Sequence, residues 1–165
     1  MMVSKNNRFT TSFQVPSWDC GPLGRMFPVA MLRYFQESAV RHSDAEAGIF
    51  DRVLEHGLFW VMAGIRMNLG VLPLRGEKVS VTTWHAGGSR LLFYRGYTAR
   101  GEDGRTLAAG VSSWALVNIE TRRMVRASAL PVELPESELG PAHEALIPER
   151  LGKMDGLENG ISWCL

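Results

Sequence analysis

Cysteine is scarce in this 165-residue chain, which carries only Cys20 and Cys164. They lie far apart and without metal-ligand spacing, so neither a disulfide framework nor a thiolate metal centre is indicated. Charge of one sign is lacking too: 18 Lys and Arg against 17 Asp and Glu leave a net charge of +1. That is too weak a field to gather nucleic acid or an anionic membrane surface, so partners are expected to be recognised through local patches. Long apolar runs are missing as well. The longest, residues 58–65, falls far short of the roughly 20 residues that span a bilayer. The first ten residues, MMVSKNNRFT, lack an apolar h-region, so no signal peptide is expected and the cytoplasm is the expected location. There is no internal repeat, no low-complexity tract and no His, Cys, Asp or Glu cluster at metal-site spacing, and no metal is expected.

What is present is an ordinary globular balance, with 45% hydrophobic and 21% charged residues, in a length that suits one domain with a real core. Residues 9–15 put Phe9, Phe13 and Val15 on one side of a period-2 pattern, as in a half-buried strand. Pro16, Asp19, Gly21 and Pro22 then supply turn chemistry. Pro28 suits a first helical turn, and Met31, Leu32, Phe35, Ala39 and His42 follow at helical spacing, predicting a helix over residues 27–46. A short helix over 49–56 is also predicted. Strands follow at 58–69, 77–84, 90–99 and 106–118, with Gly101 to Gly104 as a hairpin turn and a short last strand at 122–128.

Strand, long helix, then four or five antiparallel strands is an α+β order. A single sheet with one face to bury, and one long helix to cover it, gives a single hotdog fold, an antiparallel sheet wrapped around a central helix. Other helix-on-sheet folds satisfy the same periodicity. Residues 1–134 form the expected domain. From Pro131 onward prolines and glutamates predict an extended linker, with residues 135–165 as a C-terminal tail that carries Trp163 as a lone aromatic.

Four segments carry a resemblance. YFQESAVRH (34–42), LFWVMAGIRM (58–67), PLRGEKVSVTTW (73–84) and WALVNIETRRMVR (114–126) occur in the order found in acyl-ACP thioesterases. Across roughly residues 9–134 the chain resembles the first of the two hotdog domains in those enzymes, whose catalytic Asp, Asn and His motif belongs to the second. A further resemblance, to single-domain hotdog thioesterases, rests on WDCGPLGRMF leading into RYFQE, with Asp19, Gly24, Tyr34 and Phe35 at matching distances. In that loop the usual Asn or His is replaced by the neighbourhood of Met26 and Phe27. The resemblance implies a thioester hydrolase of lipid metabolism and fatty acid biosynthesis. Its partner would be acyl carrier protein or a CoA thioester. It would need no cofactor of its own, because the substrate carries the phosphopantetheine. A hotdog dehydratase would need His before Phe-Pro, and Met26 stands there.

Thioester hydrolysis needs a base or nucleophile, a donor for the carbonyl oxygen and a groove for the acyl chain. Asp19 in the strand-to-helix loop is the leading carboxylate; shaping the turn is its other reading. Glu37 is the second, although Arg33 and Arg41 stand four residues either side and would pair with it. Gln36 would orient a water or bond across a dimer contact. His42 has suitable chemistry near neutral pH, and near a helix end it also gains from the dipole without any function. His56, His85 and His143 carry no assignment. Gly24 and Arg25 offer backbone amides for the carbonyl, or Gly24 merely permits a turn. Trp60 and Met62, with Phe93 and Trp114, are core residues or line an acyl tunnel. Arg66, Arg90, Arg95, Arg122 and Arg123 are read as solvated sheet charges, some of them available to phosphopantetheine or an acidic carrier. A lone hotdog leaves a sheet edge open, which predicts a homodimer or a dimer of dimers with a site built from both chains. The competing reading is a non-catalytic acyl-binding or partner domain, a half-enzyme lacking its catalytic second hotdog.

Overall fold

The apolar stripe at helical spacing and the alternating strands assemble as their periods require. The computed structural model describes residues 7–46 and 48–149; Trp163 and Cys164 lie outside them. The elements are β1 (Phe9–Gln14), α1 (Pro28–Ala45), α2 (Ile49–Glu55), β2 (Leu58–Leu69), β3 (Lys78–Gly88), β4 (Leu92–Gly101), β5 (Thr106–Asn118) and the short α3 (Pro141–Glu144). The strands form one sheet in the order β1-β3-β4-β5-β2, with every neighbouring pair antiparallel. β1 and β2 are its edges, and β2 carries a bulge between Met62 and Gly64.

Helix α1 buries Ala30, Met31, Tyr34, Phe35, Ser38, Ala39 and His42, a stripe spaced three and four residues apart. It packs on the sheet face that presents Val79, Val81, Tyr97, Ala99 and Ala108. The approach is close. A Cβ on Gly110 would lie 2.8 Å from the Phe35 ring, and Phe35 stacks on Tyr97 at 4.7 Å. A second cluster, Ile49, Val53, Leu58 and Leu116, seats α2 against the far end of the same face.

The expectation of one buried face is incomplete. Strand β5 is buried along both of its faces, including Ala108 and Leu116 on one side and Val111 and Ala115 on the other. The segment read from its prolines as an extended linker runs across the sheet, with α3 against β5. Ser137 N–H donates to His85 O at 2.8 Å, His143 Nε2 lies 2.9 Å from Tyr97 O, and Leu146 is buried. Arg66 pairs with Glu149 at 3.1 Å. Four prolines between 131 and 148 hold this segment extended, but its apolar side chains still find cover. The short strand read at 122–128 is reduced to one bridge, Val117 to Met124, followed by a 3₁₀ turn at Ala127–Ala129.

Trp84 shows how the outer face is held. Its indole is fully buried, Arg8 lies 4.0 Å over the ring, and His143 meets it edge-on at 5.0 Å. The ring needs the gap at Gly96, where an added Cβ would come within 2.4 Å of it. Gly96→Ala is therefore expected to cost about 1–3 kcal/mol through overpacking, measured as a fall in the urea midpoint. An unchanged midpoint would mean that the indole does not occupy this gap.

Candidate functional site

The loop before α1 is built from its own backbone. Gly24, at φ +74°, closes a turn whose N–H donates to Gly21 O at 2.8 Å, and Gly21 N–H donates to Arg25 O at 2.9 Å. Met26 N–H and Arg75 N–H lock it onto the 72–75 segment through Pro73 O and Gly24 O. The Arg25 guanidinium donates to Leu72 O. The Gly24 amide is engaged, whereas the Leu23 and Arg25 N–H groups have no backbone acceptor among the described residues.

Asp19 ends the 3₁₀ turn Ser17–Asp19 that enters this loop, and its side chain is 5% exposed. Arg33 pairs with Oδ1, and the Tyr34 hydroxyl donates to Oδ2 at 3.2 Å. Burial, and then the Asp19 charge, push the Tyr34 phenol well above its ordinary range, so it remains a donor. The rim is apolar and exposed, with Trp18, Leu23, Phe27 and Val29 open to solvent.

Glu37 and Gln36 lie on the exposed side of α1. Glu37 pairs with Arg41 at 2.7 Å; Arg33, the other expected partner, is on Asp19 instead. The two candidate carboxylates are not brought together by any contact among the described residues.

At the other end of α1 stands a polar group that the sequence reading did not assemble. His42, fully buried, lies 2.9 Å through Nδ1 from Arg95 Nη1, and 3.2 Å through Nε2 from Glu46 Oε1. His85 Nδ1 lies 3.1 Å from Arg95 Nη2, and its Nε2 lies 3.0 Å from Glu46 Oε2. Arginine has only donors, so His42 Nδ1 accepts and its Nε2 carries the proton toward Glu46; Arg95 Nη2 also lies 2.9 Å from His85 Nε2, the atom that faces Glu46. The result is a ring of Arg95, two imidazoles and Glu46. The His42–Glu46 side is off-line, leaving those two atoms without a well-directed bond among the described residues. Arg95, read above as a solvated sheet charge, is 6% exposed. The signal was parity: residues 79, 81, 83 and 85, and 93, 95 and 97, alternate toward the helix, and His85 and Arg95 fall on the inward positions.

His42, Glu46 and His85 hold possible ligand atoms within 4.8 Å of one another. Arg95 opposes a cation there. A metal on His42 Nε2 would leave the proton on Nδ1, facing the guanidinium donors, and would set two positive charges side by side. The residues fit a polar ring, hydrogen-bonded on every side but His42–Glu46, and not a metal centre.

Burial raises the Glu46 carboxyl, but the His42 and His85 N–H groups more than offset it and hold the group at about 2, against an ordinary 4.5. Burial first, and then the Arg95 charge, hold His85 at about 4, against 6.5. Both folded values are depressed, so the unfolded chain takes up protons first and stability rises with pH. The contribution is present above pH 6.5 and is lost as pH falls, through His85 between about 6.5 and 4 and through Glu46 between about 4.5 and 2. Urea midpoints measured from pH 7.5 to 3 are expected to decline steadily below 6.5; a flat profile would contradict the ring.

Beside this ring opens a pocket of about 540 Å³, mouth included. Val40, Ile49, Phe50, Trp60, Phe93 and Trp114 are among its apolar walls, and His85, Arg95 and Ser43 form a polar one. Trp60 meets Phe93 edge-on at 4.8 Å. Met62, half-buried on β2 opposite Trp114, is not among the lining residues. No helix among the described residues is long and apolar enough to cross a membrane.

Residues 6–129 match the family described as acyl-ACP thioesterase N-terminal domain. The chain is 24% identical over 133 residues to a chloroplastic acyl-[acyl-carrier-protein] hydrolase of Cuphea viscosissima, covering 76% of this chain and 32% of that one. To a chloroplastic palmitoyl-acyl carrier protein thioesterase of Cuphea hookeriana it is 25% identical over 140 residues, covering 81% and 33%. It therefore spans about a third of the length of these curated relatives. Among solved structures it is similar to an acyl-ACP thioesterase from Bacteroides thetaiotaomicron, with TM-score 0.77 and 23% identity over 90% of this chain and 60% of that one. It is also similar to a 1,4-dihydroxy-2-naphthoyl-CoA thioesterase from Synechocystis, with TM-score 0.66 and 16% identity over 73% and 89%. These likenesses show the hotdog fold. With its long helix, its strand order and three-quarters of its length matched, the chain belongs to the acyl-ACP thioesterase N-terminal domain family.

Proposed function

We propose that the chain hydrolyses acyl thioesters of acyl carrier protein or CoA, acting as a homodimer. The observation that carries this is Asp19, a buried carboxylate at the entrance of the central helix, held by Arg33 and Tyr34. As base, Asp19 takes a proton from water while the hydroxyl adds to the thioester carbonyl carbon. The C–S bond then breaks, and the proton passes to the leaving thiolate, giving acid and thiol. As nucleophile, a carboxylate oxygen adds to the same carbon and expels the thiolate, and water then cleaves the anhydride. The Arg25 N–H is the proposed donor to the carbonyl oxygen, and the pocket beside Trp60 is the proposed acyl site. Edge strand β2, twelve residues long, offers unpaired backbone groups to a second copy.

One observation favours a second reading: the matched region covers only about a third of the curated relatives' length. On that reading the chain is an acyl-binding half that works beside another hotdog domain. Thiol release from a panel of acyl-ACP and acyl-CoA substrates, with the oligomeric state measured by light scattering, tests the choice. Turnover by a homodimer supports the first reading, and a folded protein with no turnover on any substrate supports the second.

A further inference from the structure

A pocket meant only for hydrocarbon has no use for a guanidinium in its wall. Burying an ion is costly, and a buried pair is often replaced by apolar side chains of similar volume without loss of stability. Here Arg95 is 6% exposed and His85 is 8% exposed, and both line the pocket otherwise walled by Val40, Ile49, Phe50, Trp60, Phe93 and Trp114.

The donors are only partly used. Arg95 Nη1 serves His42 Nδ1 at 2.9 Å and Thr83 Oγ1 at 3.4 Å, and Nη2 serves His85. Its Nε–H has no acceptor among the described residues. A guest oxygen would complete that set. The charge on the wall is already balanced, because Arg95 faces Glu46 across the two imidazoles. An added carboxylate would bury a charge with no counter-ion of its own, whereas a hydroxyl or keto oxygen accepts the hydrogen bond without one.

We propose that this pocket selects acyl groups carrying a neutral oxygen, a hydroxyl or keto group set along the chain, over saturated chains of equal length, with Arg95 as the selecting residue. This rests on the acyl-thioester reading above and narrows its substrate class.

The test separates binding from turnover. Pantetheine amides of saturated, hydroxy, keto and carboxy-terminated acids of matched length replace the thioester sulfur by NH, so they bind without reacting. Titrations followed by tryptophan fluorescence are expected to show the hydroxy and keto compounds binding about tenfold more tightly than their saturated partners, the worth of one hydrogen bond to a charged donor. The carboxy-terminated compound should bind no better than the saturated one. Arg95→Met combined with Glu46→Gln removes both charges together and should abolish the preference while retaining the saturated ligand. Val40→Trp, at the mouth and outside the ring, should weaken every ligand. Equal or tighter binding of saturated chains, or a preference that survives the Arg95 substitution in a folded protein, overturns the inference, and so does no binding at all. Oxygen-selective binding without hydrolysis of the matching thioesters would sustain the inference and end the hydrolase reading. Hydrolysis without selectivity would do the reverse.

Discussion

Asp19→Asn is expected to lower thiol release by about 10²–10⁴-fold, the range lost when a general base is removed from an otherwise intact site. The substitution is nearly isosteric. Its amide oxygen can still accept from Tyr34, which donates to Oδ2 at 3.2 Å in the native protein. Arg33, whose side chain is 57% exposed, loses its partner but returns to solvent, where an ion pair is worth little. The fold should therefore survive. Glu37→Ala provides the comparison: among the described residues its carboxylate pairs only with Arg41, on the exposed side of α1, and turnover should stay within about twofold. A different result would be informative. If Asp19→Asn lowers the unfolding midpoint and leaves kcat intact, the carboxylate only anchors the loop, fastening Arg33 and Tyr34 beneath the Phe27 turn.

Much of the fold was legible because periodicity reports burial. The spacing of Met31, Phe35, Ala39 and His42 marked the buried stripe of α1, and the alternation of Val79 and Val81 marked the inner face of β3. The reading failed where it priced charge by type and overlooked position. Arg95 was grouped with Arg90 and Arg122, yet it follows Phe93 and precedes Tyr97 at period two, on the face that packs against the helix. His85 was given no assignment and placed beyond the strand read at 77–84, although β3 runs on to Gly88. A polar residue at an inward position is costly, and a partner supplied by a distant segment offsets that cost. Here the partner is Glu46, 49 residues before Arg95 and invisible to any local pattern. The tail misled for a related reason. Prolines fix its backbone as extended, but Leu146 is buried and His143, half-buried, bonds to the sheet, a property of surface fit that composition does not carry.

The ring itself yields the largest expected change in stability. Glu46→Ala removes the carboxylate that faces Arg95 through His42 and His85. A guanidinium 6% exposed would then be left without a counter-charge, and breaking a buried pair from one side costs about 3–5 kcal/mol. Arg95→Met should be damaging by the same argument, since it strands Glu46 beside two imidazoles. Changing both, Arg95→Met with Glu46→Ala, removes the pair and its desolvation together, and should cost far less than the two single losses added. Some loss should persist, because His42 and His85 would each keep polar ring atoms without the partners they have now, at about 1–3 kcal/mol for each stranded group. Urea unfolding of the four proteins closes the cycle, and a coupling of at least about 2 kcal/mol is expected. Additive losses would mean that the two charges do not sense one another through the imidazoles. The double variant should also lose the acid dependence between pH 4.5 and 2 that the depressed Glu46 carboxyl gives the native protein. A packing defect in the same place would leave that dependence unchanged.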